Sequence, residues 1–286
     1  MVTIQDFKSR KDIDWCPGCG NFGIINALKR ALAQLDIGPD GAVVVSGIGC
    51  SAKLPHFMNI NGFHTLHGRA LPAATGIKLA ANDLPVIAVT GDGDGLGIGG
   101  AHFIHTARRN VDIVHILHNN AVYGLTTGQA APTTQRGMKT KTTPRGVVEE
   151  PIQPVPLALV CGATFVARTF VGDMEHCVET FKQAINHKGY ALVDTLQPCV
   201  TFNKIYTYEF YNERVYHLKD EGHDPTDLKE AMLRGYEWGD RIPLGVFYQE
   251  VGRSTLDDEL PGLKKGPLNR RDISDVDISH LVEPMT

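Results

Sequence analysis

The sequence predicts an α/β fold in which helices cover both faces of a parallel sheet, and three observations lead to this expectation. Short, largely apolar segments at 42–46, 86–90 and 111–118 are typical of strands that are buried on both faces. Segments with a helical period separate them, so strands and helices alternate along the chain. Glycine-rich turns at 47–49 and 91–99 follow the first two segments, which is the position at which open α/β sheets bind ligands.

Further elements and a division into two regions complete the predicted architecture. The remaining elements are, in chain order, a helix capped by Asn21 and ended at Gly38-Pro39, a helix over about 69–82, a helix up to about Arg109, a strand at 164–168, a helix from about Asp173 to His187 and a strand at 190–196. Residues 126–156 lack a periodic pattern, which indicates a long, ordered surface loop. We expect residues 1–240 to form one domain and residues 241–286, rich in proline and charge, to form an extension that contacts a partner.

Charge and hydropathy exclude two classes of function. The chain has 286 residues and a formal net charge of −4, so it lacks the basic surface that is typical of nucleic-acid-binding proteins. No apolar segment of the sequence is long enough to cross a bilayer. Residues 1–15 are polar and charged and show no signal-peptide pattern, so we expect a cytoplasmic protein whose thiols are reduced.

Two polar motifs stand where parallel strands are expected to end. Asp92 lies in a Gly-Asp-Gly-Asp turn after one apolar segment, and Asn120 follows the next one. Because the carboxyl ends of neighbouring parallel strands share one edge of the sheet, we expect both side chains at one site. The Asp92 carboxylate, the Asn120 amide oxygen and the Val122 carbonyl suit Mg²⁺, and the glycines allow a phosphate to approach the backbone.

This arrangement resembles the thiamine diphosphate motif, in which Gly-Asp-Gly and a later Asn-Asn are separated by one helix and one strand. A glycine-rich turn for a nucleotide is the alternative, but Gly91, Gly93 and Gly95 do not follow the GxGxxG order. The motif therefore predicts a diphosphate that is bound through a divalent metal ion.

The six cysteines are too few and too scattered for a disulfide scaffold, but four fall where the fold could bring them together. Cys16 and Cys19 form a CxxC pair, Cys50 ends a glycine turn and Cys199 follows a predicted strand. One close pair with two distant single cysteines favours a 4Fe–4S cluster, and a structural zinc ion is the alternative. The other two are expected to be packed core thiols, one entering a strand and one inside a helix: Cys161 and Cys177.

Six motifs occur in order along residues 14–203: CPGCGN, GIGCS, HTLHGR, GDGD, NNAVYGLTTGQ and QPCVTFN. This set resembles the β subunit of the 2-oxoacid:ferredoxin oxidoreductases. The resemblance implies the pyrophosphate-binding fold of a thiamine diphosphate enzyme, with an N-terminal cluster-binding segment and a C-terminal extension. It also implies that one 4Fe–4S cluster is bound by Cys16, Cys19, Cys50 and Cys199.

Carried over by position, the resemblance also implies the residues of the coenzyme site. Mg²⁺ would be bound by Asp92, Asn120 and the carbonyl of Val122. The diphosphate would be held by Gly93, Asp94, Gly124 and Leu125, and other contacts with the coenzyme would come from Ile48, Gly49, Cys50, Ser51, His67, Gly68 and Gly91. The residues expected to serve catalysis are His67, Lys53 and Arg69, of which the two cations could face the carboxylate of the 2-oxoacid. A structural histidine and a solvated lysine are the alternatives for His67 and Lys53.

The activity implied by the resemblance is the oxidative decarboxylation of a 2-oxoacid with coenzyme A, which yields an acyl-CoA, CO₂ and reduced ferredoxin. The same residues would serve the reverse reaction. We expect 2-oxoglutarate as the substrate, with pyruvate or a broad range of 2-oxoacids as the alternative. An α subunit would supply the thiamine-activating glutamate and most of the coenzyme A site, in a dimer of αβ heterodimers.

Two departures from the family pattern and two rival functions accompany this interpretation. Thr127 stands where some relatives carry lysine, which bears on substrate preference, and there is no second run of clustered cysteines to form a ferredoxin module. A non-redox thiamine diphosphate decarboxylase is one rival, although it needs no cysteine quartet. A zinc-stabilised, nucleotide-binding subunit is the other.

Overall fold

An eight-stranded sheet runs through the computed structural model, which describes residues 1–274 and 276–282. The strands are β1 (Val43–Ser46), β2 (Asn61–His64), β3 (Val86–Gly91), β4 (Val114–Asn119), β5 (Val122–Tyr123), β6 (Gln129–Ala130), β7 (Phe165–Phe170), β8 (Ala191–Leu196), β9 (Val215–His217) and β10 (Ile242–Gln249). The helices are α1 (Asn21–Gln34), α2 (Ala70–Ala80), α3 (Gly100–Arg108), α4 (Pro154–Val160), α5 (Met174–Asn186), α6 (Tyr208–Asn212), α7 (Leu228–Gly235), α8 (Leu256–Glu259) and α9 (Ser279–Val282).

The strand order brings three predicted turns to one edge of the sheet. The order is β2-β1-β3-β4-β8-β7-β10-β9, while β5 and β6 pair separately as a hairpin. Neighbouring strands of the main sheet are parallel, except that β10 is antiparallel to β7. Since β1, β3 and β4 are adjacent, the turns that follow them meet at their carboxyl ends. The predicted α/β class and the parallel sheet are confirmed.

Helices cover both faces because residues along each central strand alternate between two apolar clusters. On one face, α1 and α5 pack over a cluster that includes Ile87 and Ile116. On the other face, α2, α3, α4 and α7 contribute to a cluster that includes Ala88 and Leu117. In the described ranges 1–274 and 276–282, none of the helices combines the length and apolarity that a bilayer crossing requires.

Two local predictions are wrong, and packing explains both. Asn21 does not cap α1, because Gly20 holds the cap position and the Asn21 side chain lies 2.8 Å from Nδ1 of the buried His118. Cys161 does not enter a strand, because it ends the unpredicted helix α4. The prediction for Cys177 is confirmed, since its side chain is fully buried within α5.

The expected extension begins with a strand that belongs to the main sheet. β10 pairs with β7 on one side and with β9 on the other, so a division at residue 240 cuts into the sheet. Beyond Gln249, ion pairs fasten the chain to the loops beneath the sheet, from Asp257 to Lys188 at 3.4 Å and from Arg270 to Asp83 at 2.8 Å. Contact of this segment with a partner stays a prediction, and residues 275 and 283–286 lie outside the described residues.

A buried histidine at the centre of the sheet predicts sensitivity to acid. His115 in β4 is fully buried, with Nε2 2.8 Å from the Thr90 hydroxyl and Nδ1 2.9 Å from the Tyr190 hydroxyl. Burial lowers the pKa of His115 to about 3, so below about pH 6.5 the unfolded chain takes up a proton that the folded chain refuses. We expect the free energy of unfolding to fall between about pH 6.5 and 3, by up to about 1.4 kcal/mol per pH unit from this residue.

Urea unfolding of His115→Gln at a series of pH values tests this expectation. Between about pH 3 and 6.5, the free energy of unfolding of the variant is expected to fall less steeply with pH than that of the parent, by the slope that uptake of up to one proton produces. Near pH 8, where His115 is neutral in both states, the substitution should change stability by a constant amount. Parallel pH profiles for the variant and the parent protein would contradict it.

Candidate active site

A cavity of about 220 Å³ opens at the carboxyl ends of β1, β3 and β4. We call it the glycine cavity because glycines from all three turns form much of its wall. Its lining includes the residues that the sequence analysis assigned to Mg²⁺ and the coenzyme, apart from Gly68: Ile48, Gly49, Cys50, Ser51, His67, Gly91, Asp92, Gly93, Asp94, Asn120, Val122, Gly124 and Leu125. Tyr123 and Thr126, which the sequence analysis did not single out, complete it.

Close approach of the chain to itself explains why two of the turn residues are glycines. A Cβ atom on Gly47 would lie 1.9 Å from Oδ2 of Asp94, and one on Gly93 would lie 2.2 Å from the Tyr123 ring. Any side chain at either position would therefore displace the wall of the glycine cavity. The backbone itself forms the surface that a phosphate group could approach.

Asp94 joins two turns of the glycine cavity. Its Oδ1 accepts hydrogen bonds from the backbone N–H groups of Ile48, at 3.1 Å, and Gly68, at 2.6 Å. Nδ1 of His67 lies 2.9 Å from the same oxygen. The geometry therefore makes Asp94 a residue that positions the 47–51 turn and His67, and it gives Gly68 a role through its N–H group.

Asp92 is held in the floor of the glycine cavity. The carboxylate accepts a short hydrogen bond from the Thr133 hydroxyl, and backbone N–H groups of Gly93 and Ala121 also stabilise its charged form. Burial nevertheless outweighs these bonds and raises the pKa of Asp92 to about 7. Asn120 lies beside it, with Oδ1 accepting from the Val122 N–H group at 3.1 Å and Nδ2 donating to Gln197 at 2.8 Å.

The donor set of the glycine cavity fits a divalent cation and a diphosphate. A carboxylate, an amide oxygen and a backbone carbonyl, from Asp92, Asn120 and Val122, are the hard oxygen donors that Mg²⁺ prefers. Burial raises the pKa of Asp94 as well, and its Oδ2 atom has no hydrogen-bond partner among the described residues. Two buried carboxylates in one small cavity are both ionised only with a positive charge nearby, which a metal ion would supply.

The long loop before α4 contributes residues that the sequence analysis missed. Thr133 donates to Asp92, and the neighbouring Thr134 hydroxyl donates to the Ala121 carbonyl at 2.7 Å. Ala121 has a φ of 55°, which is unusual for a residue with a side chain, so the Thr134 bond holds a strained turn next to Asn120. The loop at 126–156 was expected on the surface, but Thr133 and Thr134 are buried.

A second cavity of about 210 Å³ adjoins the first, and all four cysteines of the predicted quartet line it: Cys16, Cys19, Cys50 and Cys199. We call it the thiol cavity. It shares Cys50, Asn120, Gly124 and Leu125 with the glycine cavity. A Cβ atom on Gly124 would lie 3.7 Å from the sulfurs of both Cys50 and Cys199, so only a glycine backbone separates the cavities at this point.

Local hydrogen bonds aim the thiols into this cavity. The N–H group of Cys19 donates to the Cys16 carbonyl at 3.0 Å, and Gly18, with a φ of 81°, completes the turn between them. The Trp15 indole donates to the Cys50 carbonyl at 2.7 Å. Burial raises the pKa of Cys19 to about 11. Within residues 1–274 and 276–282, no three histidine, cysteine, aspartate or glutamate side chains surround a single metal-ion position.

The three candidate catalytic residues lie in different surroundings. His67 lines the glycine cavity and contacts Asp94. Lys53 lines the thiol cavity instead, where its Nζ forms an ion pair with Asp14 at 3.0 Å. Arg69 is exposed and lines neither cavity, and its nearest polar partner is the carbonyl of Gly68 at 3.4 Å. The structure therefore brings His67, but not the two cations, to the predicted coenzyme site.

Comparison with known proteins gives the same interpretation as the geometry. The family described as "Thiamine pyrophosphate enzyme, C-terminal TPP binding domain" matches residues 47–195, which contain the glycine cavity. The family that describes the C-terminal part of the pyruvate ferredoxin oxidoreductase beta subunit matches residues 199–265.

Individual relatives resemble this chain over most of its length. The 2-oxoacid:ferredoxin oxidoreductase 1, subunit beta, of Aeropyrum pernix is 51% identical over 267 residues, covering 90% of this chain and 84% of the relative. The 2-oxoglutarate synthase subunit KorB of Archaeoglobus fulgidus is 44% identical, covering 83% of this chain and 85% of the relative.

A solved structure extends the likeness to three dimensions. It is that of the 2-oxoglutarate:ferredoxin oxidoreductase from Magnetococcus marinus, with 2-oxoglutarate, coenzyme A and succinyl-CoA bound. The two chains are 40% identical and superimpose with a TM-score of 0.91, covering 100% of this chain and 96% of the other. The resemblance of the sequence motifs is thereby confirmed, and the chain belongs to the β subunits of the 2-oxoacid:ferredoxin oxidoreductases.

Proposed function

We propose that this β subunit binds Mg²⁺–thiamine diphosphate in the glycine cavity and a 4Fe–4S cluster in the thiol cavity. With an α subunit, it catalyses the coenzyme A-dependent oxidative decarboxylation of 2-oxoglutarate and passes the electrons to ferredoxin. The observation that carries the proposal is the shared wall of the two cavities, formed by Cys50, Asn120, Gly124 and Leu125. A coenzyme site and an electron acceptor that share a wall suit a reaction that removes electrons from its substrate.

The residues of the chain divide the work between the two cavities. Asp92, Asn120 and the Val122 carbonyl would hold Mg²⁺, and the glycine backbone would hold the diphosphate. Asp94 orients His67 beside the coenzyme position. When bound, thiamine diphosphate supplies a carbanion-stabilising centre and the cluster supplies a one-electron acceptor.

The four cysteines suit a cluster because they approach the thiol cavity from separate segments. Cys16 and Cys19 come from the turn before α1, Cys50 follows β1 and Cys199 follows β8. Ligation by four cysteine thiolates is the usual mode of holding a 4Fe–4S cluster. Cys16 is exposed, so electrons that reach the cluster have a short route to an acceptor protein at the surface.

The substrate and the α-subunit partner rest on the relatives. Several similar chains are named 2-oxoglutarate synthase or oxidoreductase subunits, and the solved relative contains 2-oxoglutarate and coenzyme A. We propose 2-oxoglutarate as the main substrate for this chain, in a dimer of αβ heterodimers. The reverse carboxylation would use the same residues.

Co-purification with the α subunit under anaerobic conditions tests the proposal. The complex is expected to contain iron and acid-labile sulfide, to bind thiamine diphosphate, and to reduce ferredoxin with 2-oxoglutarate and coenzyme A faster than with pyruvate. A colourless protein that contains zinc, or a complex that decarboxylates without reducing ferredoxin, would overturn it. Turnover by the β subunit alone would overturn the requirement for a partner.

Thr133→Val tests the contribution of the long loop to the metal site. The variant keeps the shape of the side chain but removes the hydroxyl that donates to Asp92. Because a hydrogen bond to a charged group contributes about 1.5–3 kcal/mol, we expect thiamine diphosphate to bind about 10- to 100-fold more weakly in the presence of Mg²⁺. Calorimetric titration of the αβ complex measures the affinity, and Thr142→Val, at an exposed position of the same loop, is the control. Equal affinities for the two variants would contradict the role of Thr133.

A further inference from the structure

Residues 137–147 form an ordered hairpin within the long loop, and we call this segment the 137–147 hairpin. The Gly137 N–H group donates to the Val147 carbonyl at 2.8 Å, and the Val147 N–H group donates back to Met138 at 3.0 Å. At the tip, Thr140 and Thr143 exchange two backbone hydrogen bonds, at 3.3 and 3.2 Å, and their hydroxyls lie 2.8 Å apart. Lys141 therefore occupies a two-residue turn at the end of a hydrogen-bonded hairpin.

The base of this hairpin is fixed relative to the glycine cavity. Met138 and Val147 are both buried, so they anchor the two ends of the hairpin in the protein. A few residues earlier, Thr133 donates to Asp92 and Thr134 donates to Ala121. The loop is thus attached to the floor of the cavity before the chain rises to the tip.

The tip of the hairpin contacts a residue that lines the thiol cavity and follows the glycine cavity in the chain. Nζ of Lys141 donates a hydrogen bond of 2.8 Å to the hydroxyl of Thr127. Thr127 lines the thiol cavity, and the two residues before it, Leu125 and Thr126, line the glycine cavity. Thr127 has a φ of 77° and its N–H group donates to the Gly124 carbonyl at 3.1 Å, so a tight turn presents this hydroxyl to Lys141. The ammonium group therefore lies against a residue of the thiol cavity, directly after the two residues that line the glycine cavity.

The charge of Lys141 is available for an anion. An ammonium group has three donors, and only the bond to the neutral Thr127 hydroxyl uses one of them here. In the part of the chain that the structure describes, Lys141 has no carboxylate partner, whereas Lys53 is paired with Asp14. Of the cations near the two cavities, Lys141 is thus better placed than Lys53 to bind a carboxylate that arrives with the substrate.

We propose that Lys141 binds the distal carboxylate of a dicarboxylic 2-oxoacid, and that Thr127 positions its ammonium group. The inference rests on the proposed function, because it requires the keto end of the substrate to enter the glycine cavity. Lys141 then determines specificity, since a monocarboxylic 2-oxoacid such as pyruvate has no group for it to bind. The enzyme would discriminate between the two substrates because only the dicarboxylic one gains affinity from this charged contact.

The test compares substrates on variants of the intact αβ complex. Lys141→Met is expected to raise KM for 2-oxoglutarate by about tenfold or more, because a hydrogen bond to a charged group is lost. KM for pyruvate and for coenzyme A is expected to change less than about twofold. A change of that size is too small for the loss of a hydrogen bond to a charged group. Lys141→Arg should retain most of the preference, and Thr127→Val should lose part of it. Lys139→Met, at an exposed position of the same hairpin, should behave like the parent protein.

Several outcomes would overturn the inference. They are an equal rise of KM for both 2-oxoacids, a rise confined to coenzyme A, and an equal effect of Lys139→Met and Lys141→Met. Calorimetric binding of 2-oxoglutarate separates the inference from the proposed function. Affinity that depends on Lys141 in a complex without ferredoxin reduction would contradict only the proposed function, and normal turnover with unchanged KM in Lys141→Met would contradict only the inference.

Discussion

Asp92→Asn is expected to abolish the binding of Mg²⁺–thiamine diphosphate while the protein remains folded and retains its iron. The substitution conserves the shape of the side chain and its reach to Thr133, but it removes the charge that a divalent cation requires. Removing one partner of a buried charge pair costs about 3–5 kcal/mol, so we expect affinity for the coenzyme to fall by at least about a hundredfold. Turnover by the αβ complex should fall at least as far.

The geometry also predicts that folding and cofactor binding respond to this change in opposite ways. Burial raises the pKa of Asp92 to about 7, so its ionised form is disfavoured unless a cation neutralises it. The amide of Asp92→Asn removes that cost, and we expect the metal-free variant to unfold at no lower temperature than the metal-free parent. Addition of Mg²⁺ and thiamine diphosphate should stabilise only the parent.

Asp112→Asn is the matched control for this experiment. Asp112 is also a largely buried carboxylate, but it lies at the opposite end of the sheet, just before β4, and pairs with Lys78 at 2.8 Å. Its loss leaves the Lys78 charge unpaired, so we expect lower stability with unchanged affinity for the coenzyme. Retention of thiamine diphosphate by Asp92→Asn, at Mg²⁺ concentrations that saturate the parent, would contradict the metal assignment.

The central parallel strands are predictable from the sequence because burial on both faces requires mostly apolar side chains. The segments at 86–90 and 111–118 are largely apolar, and the structure has β3 and β4 there. β2 has no such apolar pattern, because Asn61–His64 lies at the edge of the sheet and all of its residues are exposed. β10 contains Pro243 and pairs in opposite directions with its two neighbours, so its pattern does not indicate a central strand.

Some residues of the candidate site can likewise be predicted from the sequence, and others cannot. Asp92, Asn120 and the four cysteines follow strands or stand in short motifs, so their types and spacing are informative in the sequence alone. Thr133 and Lys141 belong to a loop without periodicity, and their approach to Asp92 and Thr127 depends on hydrogen bonds between residues far apart in the sequence. Lys53 is a residue that the sequence places at the coenzyme site, because it is close to Cys50 in the chain, but that the structure places elsewhere. Its side chain pairs with Asp14.

Cys199→Ser is expected to remove the cluster and with it ferredoxin reduction, while thiamine diphosphate still binds. The cysteine is mostly buried at the end of β8 and contributes one of the four thiols of the thiol cavity. A serine hydroxyl stays protonated near neutral pH and is a poor ligand for iron, so the fourth position of the cluster would be lost. We expect iron and acid-labile sulfide to fall to less than about half of the parent values under anaerobic purification.

Cys177→Ser separates loss of a ligand from loss of a buried thiol. Cys177 is fully buried in α5, and burial raises its pKa to about 12, so it is an inert core thiol. Its replacement should cost stability but leave iron, sulfide and visible colour unchanged. The decisive comparison is therefore iron content per folded αβ complex, measured together with thiamine diphosphate affinity for both variants. Equal iron in Cys199→Ser and Cys177→Ser would exclude Cys199 as a ligand, and loss of coenzyme binding in Cys199→Ser would mean that the wall at Gly124 cannot hold its shape without the cluster.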